Sequence, residues 1–173
     1  MAEAWLNKIC GQNFEAQSAG LEPGELNPLM VQVMDEAGIN ISKKKTQGVF
    51  DVFKSGQLFA YVITICDETS AEKCPIFPGP ATRFHWSFPD PSEVKGSEAA
   101  KIDQVRVIRD QIREKIELWC KRVSAQAATS AVPPRRTHLE TNYNRYVRTT
   151  STAVTIGQIA TAARMAKRTD STV

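Results

Sequence analysis

The stretch Leu58-Phe-Ala-Tyr-Val-Ile-Thr-Ile-Cys66 is rich in β-branched residues and almost unbroken in its apolar character. A strand covered on both faces reads this way, because neither side can carry a polar row. The run falls well short of the ~20 residues a membrane helix needs. Downstream, Thr82 to Phe88 alternates through Phe84, Trp86 and Phe88 and predicts a second strand or its exit. From Ile102 the apolar positions 102, 105, 108, 112, 116, 119 and 123 keep helical spacing. Upstream, Asn27-Pro28 joins a cap residue to a proline at the first helical position. Met30, Val33, Met34 and Ala37 line one side there, and Gly38 closes the helix. Asn13 to Ser18 alternates like a short strand, and Ala2 to Ile9 has one partly apolar helical face. Helix and strand alternate, which predicts a doubly wound α/β domain with a parallel sheet. Such sheets keep their chemistry in loops at the carboxyl ends of strands. Two loops qualify, one from Cys66 onward and one from Phe88 onward.

Composition narrows the class further. The chain has 173 residues, 42% hydrophobic and 24% charged, which excludes a wholly disordered or collagen-like chain. Four cysteines at this length do not make a disulfide scaffold. Met1-Ala-Glu-Ala-Trp5 has neither a basic start nor an apolar core, so no signal peptide is expected and a cytoplasmic location is. Charge is divided unevenly: residues 1–122 carry 15 Lys/Arg against 17 Asp/Glu, and residues 123–173 carry 7 against 2. Eight of the nine glycines precede residue 97, and the last 51 residues hold 14 Ser/Thr. Two regions follow: a domain over 1–123 and a basic Ser/Thr-rich tail over 124–173. The tail is expected to be irregular, with room for a short helix between Ile156 and Lys167 and no nucleic-acid role. Pro133-Pro134 blocks any continuation of the preceding helix, so nothing beyond about Thr129 is expected in the core.

Three groups could carry chemistry. Cys66 and Cys74 lie eight apart, at the end of the buried run and in the loop behind it. Two thiols flanking a loop can pair if the segment folds back to bring their Cα atoms to about 6 Å, or they can be two unrelated thiols. His85, between Phe84 and Trp86, reads as a structural ring rather than a metal ligand, since CxxC-type spacing is absent. Phe88-Pro-Asp-Pro91 holds the Asp90 carboxyl in a proline-bracketed turn. Fixing of that kind suits a general acid, and equally an Asp that accepts turn hydrogen bonds. Cys10 and Cys120 sit on the two end helices and read as reduced packing thiols.

Several motifs occur together in one order. They are Met1-Ala-Glu-Ala-Trp5, Ser18-Ala-Gly20, Asn27-Pro28, Ile39-Asn-Ile-Ser42, Val62-Ile-Thr-Ile-Cys66, Cys74-Pro-Ile-Phe-Pro78, His85-Trp-Ser-Phe-Pro-Asp-Pro91 and Arg106-Val-Ile-Arg-Asp-Gln-Ile112. Over about residues 1–122 the set resembles the thioredoxin-coupled arsenate reductases built on the low-molecular-weight protein tyrosine phosphatase fold. The Cys…Cys-Pro segment separates the reductases from the phosphatases of that fold. The resemblance implies a three-layer architecture and a cascade of three cysteines. A nucleophilic cysteine in a C-x5-R loop attacks arsenate while the loop's amides cradle the oxyanion. A second cysteine then releases arsenite, and a third carries the disulfide outward to thioredoxin. By resemblance Cys66 is the second cysteine, Cys74 the third and Asp90 the general acid. Some members also bind potassium. Glu3 and Ser18 match two of its ligands, but Gln47 stands where an acidic ligand would, so no cofactor is expected.

The family's first strand and C-x5-R loop precede the Met-Ala-Glu helix, where this sequence begins. Six residues after Cys10, Cys66, Cys74 and Cys120 stand Ala16, Glu72, Pro80 and Gln126, never arginine. The resemblance therefore implies a central strand missing between the Asn13–Ser18 and Leu58–Cys66 strands. It also implies an arsenate reductase-like protein that is inactive as written. The competing reading is a non-catalytic relic or dithiol module that exchanges electrons with thioredoxin or binds As(III). A phosphatase of the same fold is disfavoured by the cysteine pair.

Overall fold

The computed structural model describes residues 1–65, 76–77, 79–129, 152–156 and 163–165. In chain order the elements are α1 (Ala2–Cys10), β1 (Phe14–Ala19), α2 (Pro28–Glu36), α3 (Val49–Lys54), β2 (Tyr61–Ile65), β3 (Thr82–Trp86), α4 (Glu98–Thr129), β4 (Thr152–Ile156) and β5 (Ala163–Met165). Helix α2 is bounded by its own sequence. The Asn27 side chain accepts a hydrogen bond from the Leu29 amide at 2.9 Å, and Pro28 takes the first helical position. At the other end Gly38 adopts φ 70°, a conformation glycine enters without steric cost. Its amide reaches the Asp35 carbonyl and that of Ile39 reaches Met34, the paired bonds of a Schellman stop. Helix α4 buries Val105, Ile108, Ile112, Ile116, Trp119 and Val123, all on the face the spacing predicts. It runs on to Thr129.

Alternation along the strands sorts the core into two clusters, one on each face of the sheet. Phe14, Ala16, Ile63, Ile65 and Trp86 face α1, α2 and α4. Ala19 and Val62 point the other way, onto Val49 and Val52 of α3 and onto Phe59 and Phe77. Helices thus cover both faces, and the Leu58–Cys66 run is apolar because its central residues are buried in both directions. Trp119 anchors the larger cluster through ring contacts with Phe14, Tyr61, Phe84 and Trp86 at 5.1 to 6.3 Å.

The sheet has the order β1-β5-β4-β2-β3, with β1 also pairing directly to β4. Strands β2 and β3 are parallel from Tyr61↔Thr82 to Ile65↔Trp86. Strand β4 lies between β1 and β2, parallel to both: Ala16 to Ala19 pair with Ala153 to Ile156, and Val62 pairs with Val154. Strand β5 is antiparallel to β1 and β4, so the sheet is mostly rather than wholly parallel.

These pairings correct two expectations. The gap expected between β1 and β2 holds a strand from residues 152–156, so these residues do join the core sheet. Within the stretch Ile156 to Lys167 that had room for a short helix, the described segment Ala163–Met165 is extended. The physical reason is competition for backbone hydrogen bonds: a vacant sheet position between β1 and β2 offers more partners than a solvated tail does. Thr152-Ala-Val-Thr-Ile156 has the β-branched content to accept them. The helix α3 was not anticipated, because six residues between Gly48 and Gly56 are too short to display a period.

Candidate functional site

The carboxyl end of β1, the amino end of α1 and the loop after β3 meet at a cleft of about 860 Å³. Glu3, Ser18, Lys44, Gln47, Phe50 and Asp90 are among the side chains that line it. The loop after β3 brings Asp90 here, half-buried, with its Oδ1 accepting a 2.7 Å hydrogen bond from the Ser92 amide. The backbone carbonyl of Asp90 accepts from the Glu93 amide at 3.1 Å. The turn reading of Asp90 is thus realised in the geometry, and its carboxyl is held at the cleft edge as well. Cys66 follows the last residue of β2 in the chain. Both Cys66 and Cys74 lie outside the described residues, so of the three expected site residues only the position of Asp90 is described.

A polar cluster occupies the floor beside α1. Glu3 sits in the first turn of that helix, where a carboxylate is favoured by the helix dipole. It is 5% exposed and the one charged residue buried among the described residues. Ser18 Oγ donates to its Oε2 at 2.5 Å, and Lys44 Nζ forms an ion pair with its Oε1. Gln47 Nε2 donates to the Ser18 carbonyl at 2.8 Å, and the Gln47 carbonyl accepts from the Gly20 amide at 3.0 Å. The Met1 amino group is buried in the same cleft. Burial pulls its pKa down to about 6, opposed by the Glu3 charge and aided by that of Lys44.

This donor set does not suit the potassium ion that the resemblance raised. An alkali cation needs oxygen lone pairs turned inward. Here the Glu3 oxygens receive donors from Ser18 and Lys44, and the Ser18 carbonyl receives one from Gln47. Turning the Gln47 amide over would set its oxygen against the Ser18 carbonyl, so the donor arrangement is the stable one. Lys44 is the partner that sequence reasoning missed. It belongs to the run Lys43-Lys-Lys45, which has no periodicity to single out the middle residue.

Cys10 and Cys120 also differ from expectation. Rather than two packing thiols they form a disulfide joining the end of α1 to α4, with Cα atoms 6.4 Å apart and both residues buried. The two positions are 110 residues apart in the chain, so no local spacing could have announced the pair.

A mostly parallel sheet covered on both faces, with a polar cleft beside the carboxyl end of β1, defines an α/β protein. No family profile matches the chain. It is 39% identical over 122 residues to an arsenate reductase of Bacillus licheniformis, covering 70% of this chain and 85% of that one. It is 35% identical over 118 residues to the Bacillus subtilis arsenate reductase, covering 68% and 82%. Among solved structures, an arsenate reductase in its reduced state aligns with a TM-score of 0.51 over 70% of this chain and 86% of the other, at 21% identity, a likeness of fold. The chain belongs to the arsenate reductase family.

Proposed function

We propose that these residues supply the thiol–disulfide half of arsenate reduction, with Cys66 and Cys74 as the shuttle pair and Asp90 as the general acid. The observation that carries the reading is the placement of Asp90. A proline-bracketed carboxyl stands at the cleft where the end of β1 and the amino end of α1 converge, in a chain 39% identical to an arsenate reductase. In the step assigned to Cys66, its thiolate attacks the sulfur of a cysteine already bonded to arsenic. A sulfur–sulfur bond forms, the sulfur–arsenic bond breaks, and its electron pair takes arsenic from As(V) to As(III). Asp90 protonates the oxygen that departs when the arsenic adduct is first made. Cys74 then displaces that first cysteine from Cys66, and a dithiol carrier of the thioredoxin type reduces the Cys66–Cys74 disulfide in the cytoplasm.

The nucleophile that starts this sequence needs a nest of amide donors and an arginine for the equatorial oxygens. No cysteine among the 173 residues has an arginine six positions later. The chain by itself therefore turns over neither arsenate nor a phosphate ester. That same observation favours a second reading, a dithiol module that exchanges electrons with thioredoxin or binds As(III). An assay with arsenate, thioredoxin and thioredoxin reductase should show no turnover by the chain alone. A strand and C-x5-R loop fused ahead of Met1 should restore turnover that Cys66→Ser and Cys74→Ser each abolish. Because β4 holds the place between β1 and β2, the fusion is tested with and without residues 130–173. Turnover by the unextended chain would refute the assignment; a fused protein that stays inactive while oxidation still joins Cys66 to Cys74 would favour the dithiol module.

A further inference from the structure

We infer that Lys44 is a tethered cation, its ammonium standing on Glu3 where an alkali ion would otherwise sit. The inference does not depend on the catalytic reading, since it concerns how a buried carboxylate is neutralised.

Four observations carry it. Glu3 is a carboxylate removed from water, and a buried charge persists only when paired and hydrogen-bonded. Its two oxygens are divided between a hydroxyl donor from β1 and the Lys44 ammonium, which between them meet that requirement. The lysine side chain is 39% exposed against 7% for the glutamate, so the stem arrives from solvent and only its head enters the cluster. Gln47 turns an N–H rather than an oxygen to the Ser18 carbonyl, so the Glu3 carboxylate that Lys44 covers is the oxygen an ion would have to win. An ammonium and a potassium ion carry the same charge, but the ammonium brings its own donors and prefers acceptors already oriented by neighbours. The cluster is arranged for the first and closed to the second.

The consequence is a protein whose stability is indifferent to potassium, and a single side chain that decides this. Melting temperatures of the full chain are to be compared in potassium chloride and choline chloride at equal ionic strength. The unaltered protein should melt at the same temperature in both salts. Lys44→Ala exposes Glu3 to an unpaired state and leaves room for an ion. It should melt lower in choline chloride by at least about 2–4 °C and recover most of that loss in potassium chloride. Lys44→Arg should stay close to the unaltered protein without potassium. Lys44→Ala combined with Glu3→Gln should show no recovery by potassium, which ties the ion to that carboxylate.

A potassium-specific gain in the unaltered protein would overturn the inference, because a free ion would then bind beside the lysine. So would a Lys44→Ala variant that melts like the unaltered protein in both salts. A loss that potassium does not repair would make Lys44 an ordinary ion-pair partner and would also overturn it. If Lys44→Ala does not fold in choline chloride, Lys44→Gln takes its place, and refolding yield in the two salts gives the same comparison.

Discussion

At the scale of single residues, the described part of the molecule has two points where chemistry and packing meet. The Cys10–Cys120 bond closes a long loop, and a cross-link of that kind stabilises mainly by limiting the unfolded chain. Reduction, or Cys120→Ala, should cost about 2–4 kcal/mol, read by denaturant unfolding with and without a reducing agent. Both sulfurs are buried, so reduction in the native state should be slow and should speed up as denaturant opens the α1–α4 contact. Asp90 is the second point. Asn at this position keeps the oxygen that accepts from Ser92 but cannot donate an acid proton. Asp90→Asn should therefore leave the melting temperature nearly unchanged. In the fused, active protein it should lower turnover by roughly 10²–10⁴, the usual worth of a general acid. A parallel loss of stability and activity would instead assign Asp90 to the turn alone.

At the scale of elements, the contact between α2 and α4 is tied by charge across its rim. Arg106 forms a two-pronged bond to Glu36, Nε to Oε2 and Nη2 to Oε1, each at 2.8 Å. Arg109 donates to the Val33 carbonyl at 2.9 Å and lies 3.7 Å from Glu36. The hydrogen bond from Arg106 holds the Glu36 carboxyl below the usual carboxylate range. A carboxyl with a depressed folded pKa binds fewer protons folded than unfolded. Its stabilisation is thus present at neutral pH and is lost as pH falls through the folded value. Glu36→Gln should lower stability modestly at neutral pH, and the difference from the unaltered protein should close on acidification. The pair is largely solvent-exposed, so salt should shrink the same difference. A gap independent of pH would mean that the substitution acts through packing and not through charge.

At the scale of the whole molecule, the sheet depends on a strand that arrives late in the sequence. Val154 pairs with Gln17 on one side and Val62 on the other, so its backbone lies in the interior of the sheet. Proline there removes a donor and sets φ, and a partner left unmet in the interior costs ~1–3 kcal/mol. Val154→Pro, or deletion of residues 130–173, should lower the melting temperature and expose the facing edges of β1 and β2 to intermolecular pairing. Light scattering on heating would detect that association. A truncated protein that remains monomeric and equally stable would show that β1 and β2 do not require β4.

The sequence by itself was enough for the elements whose local pattern runs long enough to read. The continuous apolar run gives a two-face strand, the Asn27-Pro28 and Gly38 signals bound α2, and the seven-position spacing from Ile102 to Val123 assigns the buried face of α4. These are readable because period, capping and turn chemistry act over a few residues. The order of motifs from Met1 to Ile112 likewise placed the chain in its family and Asp90 on a loop after a strand. Three features were decided only in the folded molecule. Lys44 reaches Glu3 from 41 residues away, Cys10 meets Cys120 across 110, and residues 152–156 enter the sheet between strands that precede them by about 90 residues or more. Each is a contact between distant positions, where one ammonium, one thiol or one β-branched run resembles many others in the chain. What selects among them is which buried carboxylate, facing sulfur or unpaired sheet edge lies within reach after folding.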